Sequence, residues 1–202
     1  MFGSNISETK EKIYRAAATL FSKQGYDNVS MRNLAKAVGI RNSSIYNHFE
    51  SKNDILLGLY EAYAEQRKQL VPDLEELLEL AKVMPPTDIL LLLNKPFPAD
   101  IAEITYSILI TAARSISTDA SSRKFMADNL FSLPKTQMLP VLSKLIELGR
   151  IEPIDPEVFD AIMRYFCFGA IILYDTPFGI DISAWEKGLR HLYMSVIKPT
   201  GK

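Results

Sequence analysis

Val29–Lys52 reads VSMRNLAKAVGIRNSSIYNHFESK, and the periodicity of this stretch decides the fold. Ser30 opens a helix that carries Met31, Leu34, Ala35 and Val38 on one face. Gly39 stops it, and a second short helix follows with Ile45 and Phe49 one turn apart. Two short helices joined through Val38-Gly39-Ile40 make a helix–turn–helix, whose second helix fits the DNA major groove. With Ile45 and Phe49 turned inward, Asn42, Ser43, Tyr46 and Asn47 face outward. Asparagine suits the edge of adenine, serine suits any base, and Arg41 suits guanine or a phosphate. Ser30, at the start of its helix, and Lys52, at the start of the fourth, are placed for phosphates.

Upstream, Ile13, Ala16, Ala17, Leu20 and Phe21 mark a first amphipathic helix, with Ser7 or Thr9 as cap. Gly25 is expected to end it in the left-handed conformation. Downstream, Ser51-Lys52-Asn53-Asp54 is a capping box for a fourth helix that buries Ile55, Leu56, Leu59, Tyr60 and Tyr63 and runs until Pro72. Beyond it prolines punctuate helices near Asp73–Val83, Thr87–Leu93, Ala99–Ser117, Asp119–Asn129, Pro134–Leu148, Pro156–Tyr174 and Ser183–Ile197. Pro140 is expected to kink its helix or to mark the true start. Asp155-Pro156 and Ser183-Ala184-Trp185-Glu186 read as helix starts. An alternating strand pattern is missing, so the expected class is all-α.

Length and composition agree with a globular chain: 202 residues, 48% hydrophobic, 23% charged, one cysteine and two histidines. The single cysteine excludes an intramolecular disulfide framework, and a histidine-rich metal site is not expected. The longest apolar run, Tyr165 to Tyr174, is about half a bilayer span. The amino terminus does not read as a signal peptide, so a cytoplasmic protein without a membrane partner is expected. The net charge of −1 hides an asymmetry. Between Glu8 and Lys52 stand eight basic and four acidic residues, net +4, against 15 basic and 20 acidic elsewhere, net −5. A basic head on an acidic body suits a nucleic-acid partner for the head.

The head also carries a family resemblance. Gly25-Tyr26, Val29 to Ala35, Val38-Gly39-Ile40, Ser44 to Phe49 and Ser51-Lys52 make Ile13 to Leu56 similar to the DNA-binding domain of TetR-like bacterial transcription regulators. The run from Ile45 to Lys52 is the most specific part. The resemblance implies an all-helical dimer, with residues 1–52 as DNA-binding domain and residues 53–202 as a helical effector-binding and dimerisation domain. It implies DNA contacts from Ser30, Arg32, Arg41, Asn42, Ser43, Ser44, Tyr46, Asn47, His48 and Lys52. Many members have glycine where this chain has Ser43; serine stiffens that turn and adds a hydroxyl at the reading face.

In the body, the helix from Pro156 is apolar nearly all round, with Glu157, Asp160 and Arg164 as its narrow polar stripe. Together with the last helix (Ala184, Trp185, Gly188, Leu189, Leu192, Tyr193, Val196) it is expected to pair with a second copy, Gly169 and Gly188 permitting close approach. Tyr60, Tyr63, Tyr106, Phe131, Met138, Met163 and Phe166 are the candidates for lining an effector pocket, for a small and largely apolar ligand of unknown identity. The expected function is a ligand-responsive repressor that binds a palindromic operator in double-stranded DNA as a homodimer, with no cofactor and no metal.

Catalysis finds little support. Cys167 and His191 lie on apolar helices, and Ser7-x-x-Lys10 and Ser132-x-x-Lys135 match a fragment of the penicillin-binding motif but lack its partners. A helical dimeric adaptor that binds no DNA is the remaining alternative. It explains the body but not the outward Asn, Ser and Tyr side chains of the basic head.

Overall fold

Side-chain caps set many of the helix boundaries. The structure, a computed structural model, describes residues 1–2, 6–132, 134–173 and 182–198, with 134, 182 and 183 described by backbone alone. Helix α1 (Glu8–Gln24) opens at Ser7, whose hydroxyl accepts from the Lys10 amide at 3.3 Å. Helices α2 (Met31–Val38) and α3 (Asn42–Ile45) follow, then α4 (Lys52–Leu70). At the start of α4 the Asp54 amide donates to Ser51 Oγ (3.2 Å) and the Ser51 amide to Asp54 Oδ2 (2.9 Å), the reciprocal box read from the sequence. Asp73 caps α5 (Leu74–Val83) by accepting from the Glu76 amide at 2.9 Å. Prolines 85 and 98 precede α6 (Pro86–Leu93) and α7 (Ala99–Ser115). Next come α8 (Ala120–Met126), α9 (Leu139–Glu147), α10 (Pro156–Leu173) and α11 (Ile182–Val196). Asp155 Oδ1 caps α10, accepting from the amides of Glu157 (2.9 Å) and Val158 (3.2 Å). Helix makes up 76% of the described residues, and no strand occurs among them.

Two local expectations are corrected. Gly25 has φ 86 and ψ 142, a positive-φ extended conformation rather than a left-handed helical one. Between α8 and α9 the chain takes two π-helical turns, Ala127–Phe131 and Pro134–Met138. Pro140 has no N–H to donate, so an α-helical ladder cannot run unbroken from residue 134, and α9 starts beside the proline. Along α10, Asp160 is buried and paired with the half-buried Arg164 one turn on, while Glu157 is exposed. The side-chain cap expected from Ser183 and the helix end at Tyr174 lie outside what the structure describes.

The chain divides into two units, Met1–Arg67 with Phe97–Met126, and Lys68–Pro96 with Ala127–Lys202. The unit that holds the helix–turn–helix therefore extends past residue 52 to include most of α4, together with α7 and α8. In it Ile13, Ala17 and Phe21 of α1 are fully buried, and α1 packs on both α2 and α7. Arg114 at the end of α7 donates to the Ser22 carbonyl near the end of α1, satisfying an acceptor that the last helical turn leaves open. Tyr60 stacks on Phe125 (4.1 Å between centroids, 11°), Tyr63 meets the same ring edge-on at 5.1 Å, and the Tyr60 hydroxyl bonds Ser122 Oγ at 2.7 Å.

The second unit is built on Leu77, Ala81, Ile89, Leu90, Val141, Leu142, Leu145, Phe159, Met163, Leu189 and Tyr193. Arg150 Nη1 holds the end of α5 through the carbonyls of Ala81 (2.7 Å) and Met84 (2.8 Å). Asn94 Nδ2 donates to the buried Tyr193 hydroxyl at 2.7 Å.

Burial pushes the Tyr60 phenol far above its ordinary value of 10.0, and Tyr193 likewise. Their pKa values are raised in the folded state, so their stabilisation is complete below pH 10 and is lost as pH rises above it, where the unfolded chain ionises first. Each buried phenol should cost about 1.4 kcal/mol of stability per pH unit in that window. Tyr60→Phe should therefore flatten the alkaline fall in thermal midpoint. An unchanged alkaline slope would contradict the assignment.

Candidate nucleic-acid interface

The geometry of the head follows from its caps and turns. Ser30 and Asn33 form a reciprocal box at the start of α2: the Asn33 amide donates to Ser30 Oγ (3.2 Å), and the Ser30 amide donates to Asn33 Oδ1 (2.9 Å). This box makes the Ser30 hydroxyl part of the cap. Gly39 then takes φ 76 and ψ 27, the left-handed conformation that side-chain-bearing residues rarely adopt. Its turn is closed by the Ile40 amide on the Ala35 carbonyl at 3.0 Å. Arg41 stands at the cap of α3, and after Ile45 the chain continues through turns in which His48 and Phe49 donate to the Ile45 carbonyl (3.0 and 3.1 Å).

Ile45 and Phe49 are buried, Phe49 edge-on to Tyr14 at 5.0 Å. Tyr14 in turn stacks on Phe2 at 4.8 Å. The opposite face of α3 is outward as its spacing predicts: Arg41, Asn42, Ser43 and Asn47 are exposed, and Tyr46 is 52% exposed. Ser30 and Arg32 are exposed, while Ser44, His48 and Lys52 are half-buried. The structure thus collects the ten candidates on one α2–α3–α4 segment. Lys52 is engaged within the head, donating to the Tyr26 carbonyl at 2.7 Å and standing 4.1 Å from the centre of the Tyr26 ring. Burial lowers the pKa of its ammonium, and the charge of Asp27 partly offsets this. Sequence reading missed the role of Tyr26: no spacing rule joins residues 26 apart, and the only signal was an aromatic after a glycine at the end of α1.

The effector candidates are divided between the two units. Tyr60, Tyr63 and Tyr106 belong to the first unit, and Phe131, Met138, Met163 and Phe166 to the second. Tyr60, Tyr63, Met138 and Met163 are buried core side chains. Phe131 lies 5.9 Å from Phe168, and Phe166 stacks at 6.3 Å on Trp185. A cleft of about 530 Å3 opens in the second unit between α6 and α11, lined by Leu91, Leu92, Asn94, Trp185 and Leu189 among others. An Asp88–Arg190 ion pair (2.9 Å) is part of that lining, which includes none of the seven candidates.

Comparison with known proteins finds a family model similar to this head. Residues 13–59 match the model of the tetR family of bacterial regulatory proteins. Over 46 residues, 23% of the chain, it is 48% identical to the biofilm operon icaADBC HTH-type negative transcriptional regulator IcaR of Staphylococcus aureus. That match takes in a quarter of the relative's length. Over nearly the whole chain the fold is that of solved regulators. PfmR, a TetR family transcriptional regulator from Thermus thermophilus, superposes with a TM-score of 0.67 at 20% identity, covering 98% of this chain and all of that one. A transcriptional regulator from Saccharomonospora viridis in complex with choline gives 0.64 at 20% identity, covering 95% and 98%. The relatives are regulators of transcription rather than enzymes.

Proposed function

We propose that the chain is a repressor-type regulator of transcription that binds a palindromic operator as a homodimer and is released by a small effector. The outward Arg41, Asn42, Ser43, Tyr46 and Asn47, over a buried Ile45 and Phe49, carry this reading. Ser30, Arg32, Ser44, His48 and Lys52 complete the duplex-facing set, in which phosphate contacts position the head and base contacts specify the sequence. Residues 1–52 supply the DNA contacts, and residues 53–202 supply dimerisation and effector binding. The match to a negative transcriptional regulator supports repression over activation.

Dimerisation draws support from α10 and α11. Val158, Ala161, Ile162, Tyr165, Ile172 and Leu173 make an exposed stripe at helical spacing on α10, and Met194 is exposed on α11. Tyr165 is 79% exposed and Met194 63%. A side chain added at Gly169 would meet nothing within 4 Å, and at Gly188 only Phe166 at 4.0 Å, so both glycines leave room for a second backbone. Two heads held about 34 Å apart enter successive major grooves, and an effector acts by favouring another separation. The choline complex of a protein of the same fold supports a small-molecule effector. The protein works in the cytoplasm, and no helix among the described residues is long and apolar enough to cross a membrane.

Selection of duplexes from a random pool tests this directly. An enriched inverted repeat is the expected result. A stable dimer that enriches no duplex would favour the adaptor reading. A thermal-shift screen of small molecules then tests for an effector.

A further inference from the structure

Lys52 occupies a costly position. It is the first residue of the 19-residue α4, where the positive end of the helix opposes a cation. It is also half-buried. Tyr26 supplies the compensation twice, once through its carbonyl at 2.7 Å and once through its ring at 4.1 Å. Tyr26 is itself fixed within the head. Its ring meets the fully buried Phe21 edge-on at 5.1 Å, and its carbonyl also accepts from the Val29 amide at 3.3 Å. The positive φ of Gly25 turns the chain into this loop.

We propose that Tyr26 is a positioning residue for duplex binding, its ring and carbonyl holding the Lys52 ammonium beside the α2–α3 face so that the remaining N–H donors meet a backbone phosphate. The inference rests on the reading of the head as a duplex-binding surface. An ammonium has three donors, and the Tyr26 carbonyl engages one. A lysine held in place before binding gives up less side-chain freedom when the phosphate arrives. A purely structural clamp between loop and helix would instead affect folding and leave the salt dependence of DNA binding alone.

The test measures binding of a random-sequence duplex of about 30 base pairs across a salt series, because phosphate contacts give non-specific binding its steep salt slope. Lys52→Ala should weaken binding about tenfold and lower the slope by about 0.9 for each phosphate that is no longer neutralised. Tyr26→Leu should reproduce most of both effects and add nothing in the Lys52→Ala background, whereas Tyr26→Phe should behave as wild type. Equal losses from Tyr26→Leu with and without Lys52, or an unchanged slope, would overturn the proposal. Should Tyr26→Leu not fold, NMR of the wild-type protein decides. The Lys52 ε-methylene protons should be shifted upfield by the ring, and an ordinary shift overturns the proposal. Wild-type protein that binds no duplex would overturn the regulator reading as well, while binding with an additive cycle would overturn the role of Tyr26 alone.

Discussion

Replacing Tyr46 and Asn47 together by alanine should abolish sequence-selective duplex binding while leaving the fold and the oligomeric state unchanged. Both side chains are exposed on α3, so little packing is removed, and exposed substitutions usually change stability by within about 0.5 kcal/mol. A base-reading contact is worth about 1–3 kcal/mol. With two heads on one operator the loss is doubled, and affinity should fall on the order of a thousandfold. Fluorescence anisotropy with a selected operator checks the affinity, and a random duplex serves as the reference. Residual non-specific binding should persist, because Arg32, Arg41 and Lys52 remain. Unaltered operator affinity would remove α3 from the reading face.

The second large effect belongs to α10. Ile162→Glu combined with Tyr165→Glu should convert a dimer into a monomer. Both side chains lie exposed on the apolar stripe, so the carboxylates are readily accommodated in the lone chain. In a dimer they would be buried beside their own symmetry copies, at several kcal/mol for each unpaired buried charge. Operator affinity should drop at least about a hundredfold, since each monomer then binds a half-site without the effective concentration that linkage provides. Sedimentation velocity reads the mass. A double variant that stays dimeric, or a wild-type chain that is monomeric, would place the dimer interface elsewhere or remove it.

The parts of the head legible in the sequence were those governed by short spacing. Ser51 and Asp54 lie three residues apart, Ile45 and Phe49 four, and Gly39 interrupts an otherwise helical pattern. Each motif is local and has one stable solution. What stayed hidden depends on distant residues. Arg114 meets Ser22 across 92 positions, and Lys52 meets Tyr26 across 26. Along α10, periodicity separates polar from apolar residues, but it does not tell that Asp160 is buried in a pair with Arg164 while Tyr165 is exposed. The effector candidates rest on composition, which does not separate a filled core from a cavity.

The grip of Arg114 on the end of α1 bears on how such regulators can be recombined. A chimera joined at residue 52 would carry the helix–turn–helix away from α7, on which α1 packs. A transplant has to bring residues 97–126 with it, or supply an acceptor body whose own helix offers an equivalent guanidinium and apolar seat. Modular exchange of specificities is therefore a matter of matching one helix drawn from mid-chain, rather than of choosing a cut site in the linear order.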